Sequence, residues 1–229
     1  MTNFSYKFGS QYSKPIGYVV EPENTSIYKH RFGGSSWKIV DAQPIDDGPV
    51  LLFVLDLSDQ KLSGLGVNSL KELPICSYIN SDVWLQEQVY TVHNDTKEVV
   101  LLSKKTENVS TLDDADRMPN PLPEKTVDLR AMKDSEYPLD EDSYWENTDD
   151  FLGGQSFFRV SGNPLWLLES KKVHCSCCTE MPHVMSIGYE GWGGSFQYID
   201  EMPFFLGESA LYIFFCDSCS ELRVISQSS

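Results

Sequence analysis

The chain has no run of apolar residues approaching the roughly 18 to 20 that cross a bilayer. Its opening, Met1-Thr2-Asn3-Phe4-Ser5-Tyr6-Lys7, lacks the apolar core of a secretion signal. A soluble, cytoplasmic protein without a membrane partner is the expectation. Positive charge is also scarce: 18 Lys and Arg stand against 34 Asp and Glu, a formal net charge of -16. An acidic surface repels phosphate backbones and has no counterions of theirs to release, which argues against direct nucleic-acid binding and makes a basic protein the natural macromolecular partner. Catalytic signatures are missing as well. There is no H-E-x-x-H pair, no G-x-S-x-G elbow and no G-x-x-x-x-G-K-[ST] phosphate loop. The histidines, at 30, 93, 174 and 183, show no nucleophile at a useful spacing. A zinc deaminase would need His-x-Glu ahead of its cysteine pair, whereas Ser176 and Met185 stand two residues after His174 and His183.

What the chain does have is 41% hydrophobic and 12% aromatic residues in 229, ample for a packed core. Short apolar runs bounded by Gly, Pro, Asn and Asp read as strands: 16–20, the nearly continuous 50–57, 75–79, 88–92, 98–102, 156–160, 184–187 and 210–215. The run at 50–57 should be covered on both faces as a central strand, and 73–102 should form a small antiparallel sheet turning at His93-Asn94-Asp95. A mainly β, β-rich α+β fold of two related antiparallel lobes is expected. A weak internal repeat supports the pairing: Gly33-Gly34 and Trp37, then a strand, then 75–79, match Gly162 and Trp166, a strand, then 212–216.

Between 107 and 150 the composition changes, with 14 acidic against 4 basic residues and prolines at 119, 121, 123 and 138. It reads as a largely irregular insert or crossover. The expected division is therefore an N-terminal lobe 1–106, the acidic insert 107–150 and a C-terminal metal-binding lobe 151–229, or one continuous domain.

Five of six cysteines fall between 175 and 219, and Cys175, Cys178, Cys216 and Cys219 form two C-x-x-C pairs 37 residues apart. Without a secretion signal, thiolates on a metal are expected over disulfides, and four soft ligands fit a closed structural zinc site rather than a catalytic one. Cys177, His174 and His183 are alternative ligands.

The C-terminal order Gly162-Asn163-Pro164-Leu165-Trp166, Cys175-Ser176-Cys177-Cys178, Met181-Pro182-His183-Val184-Met185 and Leu211-Tyr212-Ile213-Phe214-Phe215-Cys216-Asp217-Ser218-Cys219 resembles the YwqG-like and programmed-cell-death-protein-2-like family. The resemblance is clearest over about 160–229 and fainter over 32–57. It implies a two-lobed β-rich fold and the zinc ligands Cys175, Cys178, Cys216 and Cys219. Cys76 has no companions, which argues against a second metal. The eukaryotic members escort a ribosomal protein, so the resemblance implies binding more than catalysis, by analogy of fold.

The expected function is a monomeric, non-enzymatic, zinc-stabilised binding protein for a basic partner, foremost an immunity protein neutralising a basic toxin. An escort for a basic nucleic-acid-binding or ribosomal protein is the first alternative, and an enzyme with carboxylates between the lobes the second. Asp140, Glu141, Asp142, Asp149, Asp150 and Trp192, the last among three glycines, are the expected partner-binding residues.

Overall fold

The computed structural model describes residues 17–22, 25–45, 47–111, 117–138, 140–177, 180–191 and 197–228; side chains at 81–86, 106–111 and 141 are outside the description. Twelve strands form one hydrogen-bonded series. In chain order they are β1 Gly17–Pro22, β2 Arg31–Phe32, β3 Lys38–Val40, β4 Val50–Asp56, β5 Glu72–Ser77, β6 Ser81–His93, β7 Glu98–Thr111, β8 Lys125–Ala131, β9 Phe158–Ser161, β10 His183–Ile187, β11 Ser209–Cys216 and β12 Glu221–Ser228. An α-helix, α1 Glu141–Phe151, lies between β8 and β9. The spatial order is β3-β7-β6-β12-β11-β10-β9-β1-β8-β2-β4-β5. All pairings are antiparallel except β3 with β7.

The β-rich class expected from the apolar runs is present, and the halves repeat one another in connectivity. β2 pairs with β4 and β4 with β5; β9 pairs with β10 and β10 with β11. Each first strand ends in two consecutive left-handed residues, Gly33 and Gly34 (φ 66° and 82°) in one case and Ser161 and Gly162 (φ 61° and 70°) in the other. A Cβ on Gly33 would lie 2.4 Å from the Pro123 carbonyl, so the first of these turns admits only glycine. A buried tryptophan, Trp37 or Trp166, follows each turn. The halves are also interlocked. β1, which leads the first, pairs with β9 of the second, while β8, which leads the second, pairs with β2 of the first.

One apolar core contains Phe32, Phe53 and Leu73 from one end of the strand series and Tyr90 and Val99 from the other, with Ile213 and Val224 from its middle. Distant strands can share a core only if the sheet curls around it. At its centre Phe158 packs against Phe53, Tyr198 and Phe204 at ring separations of 4.8, 4.7 and 5.0 Å, mostly edge to face.

Three expectations change. The sheet expected over 73–102 divides: β6 and β7 pair as read, but β5 pairs with β4. Backbone pairing gives way to a side chain there, for the buried Gln88 amide accepts from Tyr78 N and donates to Ser77 Oγ across the β5–β6 turn. Strand β4 is buried from Val50 to Leu55, as its apolar run requires, yet it lies next to last in the series and not at its centre. The acidic stretch 107–150 is largely regular where it is described. It contains the end of β7, all of β8 and all of α1 but its last residue, because Val127, Leu129 and Tyr144, with Phe151 just beyond, give these elements apolar faces to bury despite the surrounding charge.

Candidate metal centre

β11 alternates with period two. Leu211, Ile213 and Phe215 face the main core, while Ala210, Tyr212, Phe214 and Cys216 face a second, smaller one. This outer core is roofed by α1, through Tyr144 and Phe151, and by the excursion between β9 and β10, through Leu165, Trp166, Leu167, Val173 and Met181. Tyr212 Oη donates to Leu165 O and accepts from Leu167 N, and Tyr144 Oη donates to Trp166 O, so two buried phenols fix the path of that excursion.

The cysteines lie at the edge of this outer core. Cys216 and Cys219 occupy the β11–β12 turn, and Cys175 and Cys177 a loop closed by the His174–Glu180 bridge. Four sulfurs, of Cys175, Cys177, Cys216 and Cys219, lie within 4.8 Å of one another and could hold a metal ion. The Cys177–Cys216 separation of 3.6 Å is close to the edge of a tetrahedron with Zn–S bonds of about 2.3 Å. Cys175 and Cys177 stand at 2.9 Å. Burial, together with hydrogen bonds among the thiols, pushes the Cys216 thiol up to about 12, and burial also raises Cys219. Thiolates here therefore need a cation beside them, and an all-sulfur pocket selects a soft or borderline one.

The loop and turn are tied down by carboxylates as well as by the cysteines. Glu221 accepts from Ser176 N and is bound in turn by Arg223, which also reaches Glu87. Asp217 accepts from the backbone of Asn68 and Ser69 and from the Ser69 hydroxyl, fastening the turn to the other half of the chain.

Of the four expected ligands, Cys175, Cys216 and Cys219 come together; Cys178 lies outside the described residues, and Cys177 supplies the fourth sulfur of the described cluster. Sequence spacing favours Cys178, whereas the loop's course carries the Cys177 sulfur to Cys216. His183 is engaged elsewhere, its Nδ1 at 3.2 Å from Gly162 O and its Nε2 at 3.0 Å from Ser186 Oγ. Desolvation lowers it to about 4, so the ring is neutral. His174 is exposed beside the loop. Cys76 is buried in the main core, where desolvation holds it protonated.

The expected partner-binding residues separate by role. Asp140 is the N-cap of α1, its Oδ1 accepting from Ser143 N at 2.9 Å. Glu141 is the first helical residue, and Asp142 and Asp149 are exposed along the helix. Asp150 is half-buried, accepting from Gln155 N and lying 3.6 Å from the buried Arg159 guanidinium. Trp192 lies outside the described residues. Trp145, 44% exposed on α1, is not among the residues expected from the sequence. Its signal was present in the helical spacing of Tyr144, Thr148 and Phe151 behind an Asp-x-x-Ser cap.

Among the described residues, no helix is long and apolar enough to cross a membrane. Comparison with protein-family models, curated proteins and solved structures finds no match.

Proposed function

We propose that the protein is an acidic, zinc-stabilised binding protein that holds a basic protein in a one-to-one complex, foremost as an immunity protein neutralising a basic toxin. The carrying observation is the net charge of -16 combined with carboxylates displayed on a regular element, α1, which can present them in a fixed pattern. Opposite charge accelerates encounter, which suits capture of a harmful partner. Zinc is the ion proposed for the cysteines because four thiolates are its usual structural donor set and leave no position for a reacting water. When bound, the ion would link the β11–β12 turn to the 175–177 loop and add folding free energy. The resemblance to the YwqG-like and programmed-cell-death-protein-2-like family supports a binding role and makes an escort for a basic client the alternative.

The test is recovery of partners from native lysate at low and high salt, with metal measured on the same sample. The expected result is about one zinc per chain and a single basic protein in equal amount, released by salt. Inhibition of that protein's own activity by the chain would support immunity, and a merely solubilised partner would favour the escort. Zinc without any partner would count against the binding role.

A further inference from the structure

The surface of α1 is built in a way that helix stability does not explain. Tyr144, Asn147, Thr148 and Phe151 are buried on one side. Asp142, Trp145, Glu146 and Asp149 are exposed and span about 100° of arc on the other. Asp142 and Glu146 form a like-charge i,i+4 pair. Asp149 and Asp150 sit in the last turn, which has no basic residue, where the helix dipole disfavours negative charge. Trp145 lies among these carboxylates, its ring edge-on to Tyr144 at 5.7 Å.

Beside the helix is a polar cleft of about 370 Å³, lined in part by Glu21, Glu136, Glu146, Asn147 and Asp150. Asn147 is only 6% exposed. Its Nδ2 donates to Ser143 O and Ser135 O, while its Oδ1, itself buried, has no hydrogen-bond partner among the described residues. Arg130 and Lys133 also line the cleft. Arg130 is held by both oxygens of Glu136 and by Glu21. The orphaned acceptor calls for a hydrogen-bond donor, and the outward carboxylates call for positive charge.

We infer that the outer face of α1, with the cleft beside it, is the docking surface for an arginine-bearing basic segment of a partner protein. Trp145 is the stacking platform, Asp142, Glu146 and Asp149 supply the charge, and the cleft receives a guanidinium. Arginine is favoured over lysine because its planar cation stacks on an indole and its five N–H donors suit a cleft rich in oxygen acceptors. This inference rests on the proposed role as a binder of basic protein and gives it a location.

The test uses the full-length, metal-loaded chain and fluorescein-labelled nona-arginine and nona-lysine peptides, with anisotropy read at low salt. The triple variant Asp142→Asn, Glu146→Gln, Asp149→Asn should weaken nona-arginine binding about tenfold. A control with the same charge change on exposed acids elsewhere, Asp95→Asn, Glu169→Gln, Glu208→Gln, should weaken it no more than about threefold. Trp145→Ala, with Trp145→Phe as a second variant should alanine unfold the chain, should reduce the preference for arginine over lysine. Equal losses in the two triple variants would overturn α1 as the site while leaving capture of basic proteins intact. Failure of the unsubstituted chain to bind either peptide would overturn both. A dimer in sedimentation that Trp145→Ala dissociates would assign the face to a second copy and overturn the inference.

Discussion

At the residue scale, side chains of the same type carry different functions according to what surrounds them. Asp140 and Asp149 both belong to the acidic stretch, yet the first caps a helix start and the second opposes the dipole at its end. Asp149→Asn should therefore stabilise the fold by about 0.3–1 kcal/mol at low salt, seen as a raised thermal midpoint, even as it weakens capture of a basic peptide. Asp140→Ala should lower the thermal midpoint through loss of the cap, so a binding defect in that variant carries no information about the interface. His183 provides a pH test. Its folded value of about 4 lies below the unfolded value of about 6.5. Between the two the unfolded chain binds a proton that the folded chain does not, so stability falls as pH drops through this window. His183→Gln should flatten that slope in thermal melts taken from pH 7 to pH 4.

At the element scale, the outer core depends on few contacts and on the cysteine cluster. The β9–β10 excursion is irregular over most of its length and is held by Tyr144, Trp166 and Tyr212 together with the cysteine loop. Chelation should release this excursion and α1 before the main core, so hydrogen exchange should accelerate first in 163–177 and 141–151 while β4, β5 and β9 remain protected. Cys216→Ser should reproduce this pattern and lower bound metal. Comparing Cys177→Ser with Cys178→Ser by metal content decides which cysteine completes the set, since only loss of a true ligand lowers affinity steeply. Tyr144→Ala should cost about 3–5 kcal/mol, because a fully buried ring leaves a cavity and the Trp166 carbonyl loses its donor.

At the scale of the whole molecule, the interlocked halves make separation unfavourable. A fragment that begins at the end of α1 would keep β9 to β12 but lose β1 from one side and β6 from the other, exposing two edges and one side of the shared core. A fragment of residues 151–229 should therefore fail to give dispersed amide resonances even with zinc, whereas the full chain unfolds with one dominant transition. Much of this architecture was legible beforehand. Eight apolar runs mark strands, the glycine and tryptophan repeat marks the duplicated connectivity, and the clustered cysteines mark the sulfur cluster that could hold a metal ion. Partner choice among strands was not legible, since an apolar run such as Ile75-Cys76 satisfies any neighbour that buries it. The helix within the acidic stretch was hidden because charge and proline content dominated its composition while four buried side chains set its conformation.

The sequence by itself determined the strand-rich class, the clustering of thiols and the excess of negative charge, because these depend on residue type and short-range periodicity alone. Only the tertiary structure decided that β5 turns to β4, that β1 and β8 exchange halves, that Cys177 joins the described sulfur cluster, and that Trp145 stands outward among carboxylates. Each of these follows from long-range burial, in which the free energy of closing one shared core outweighs local preference.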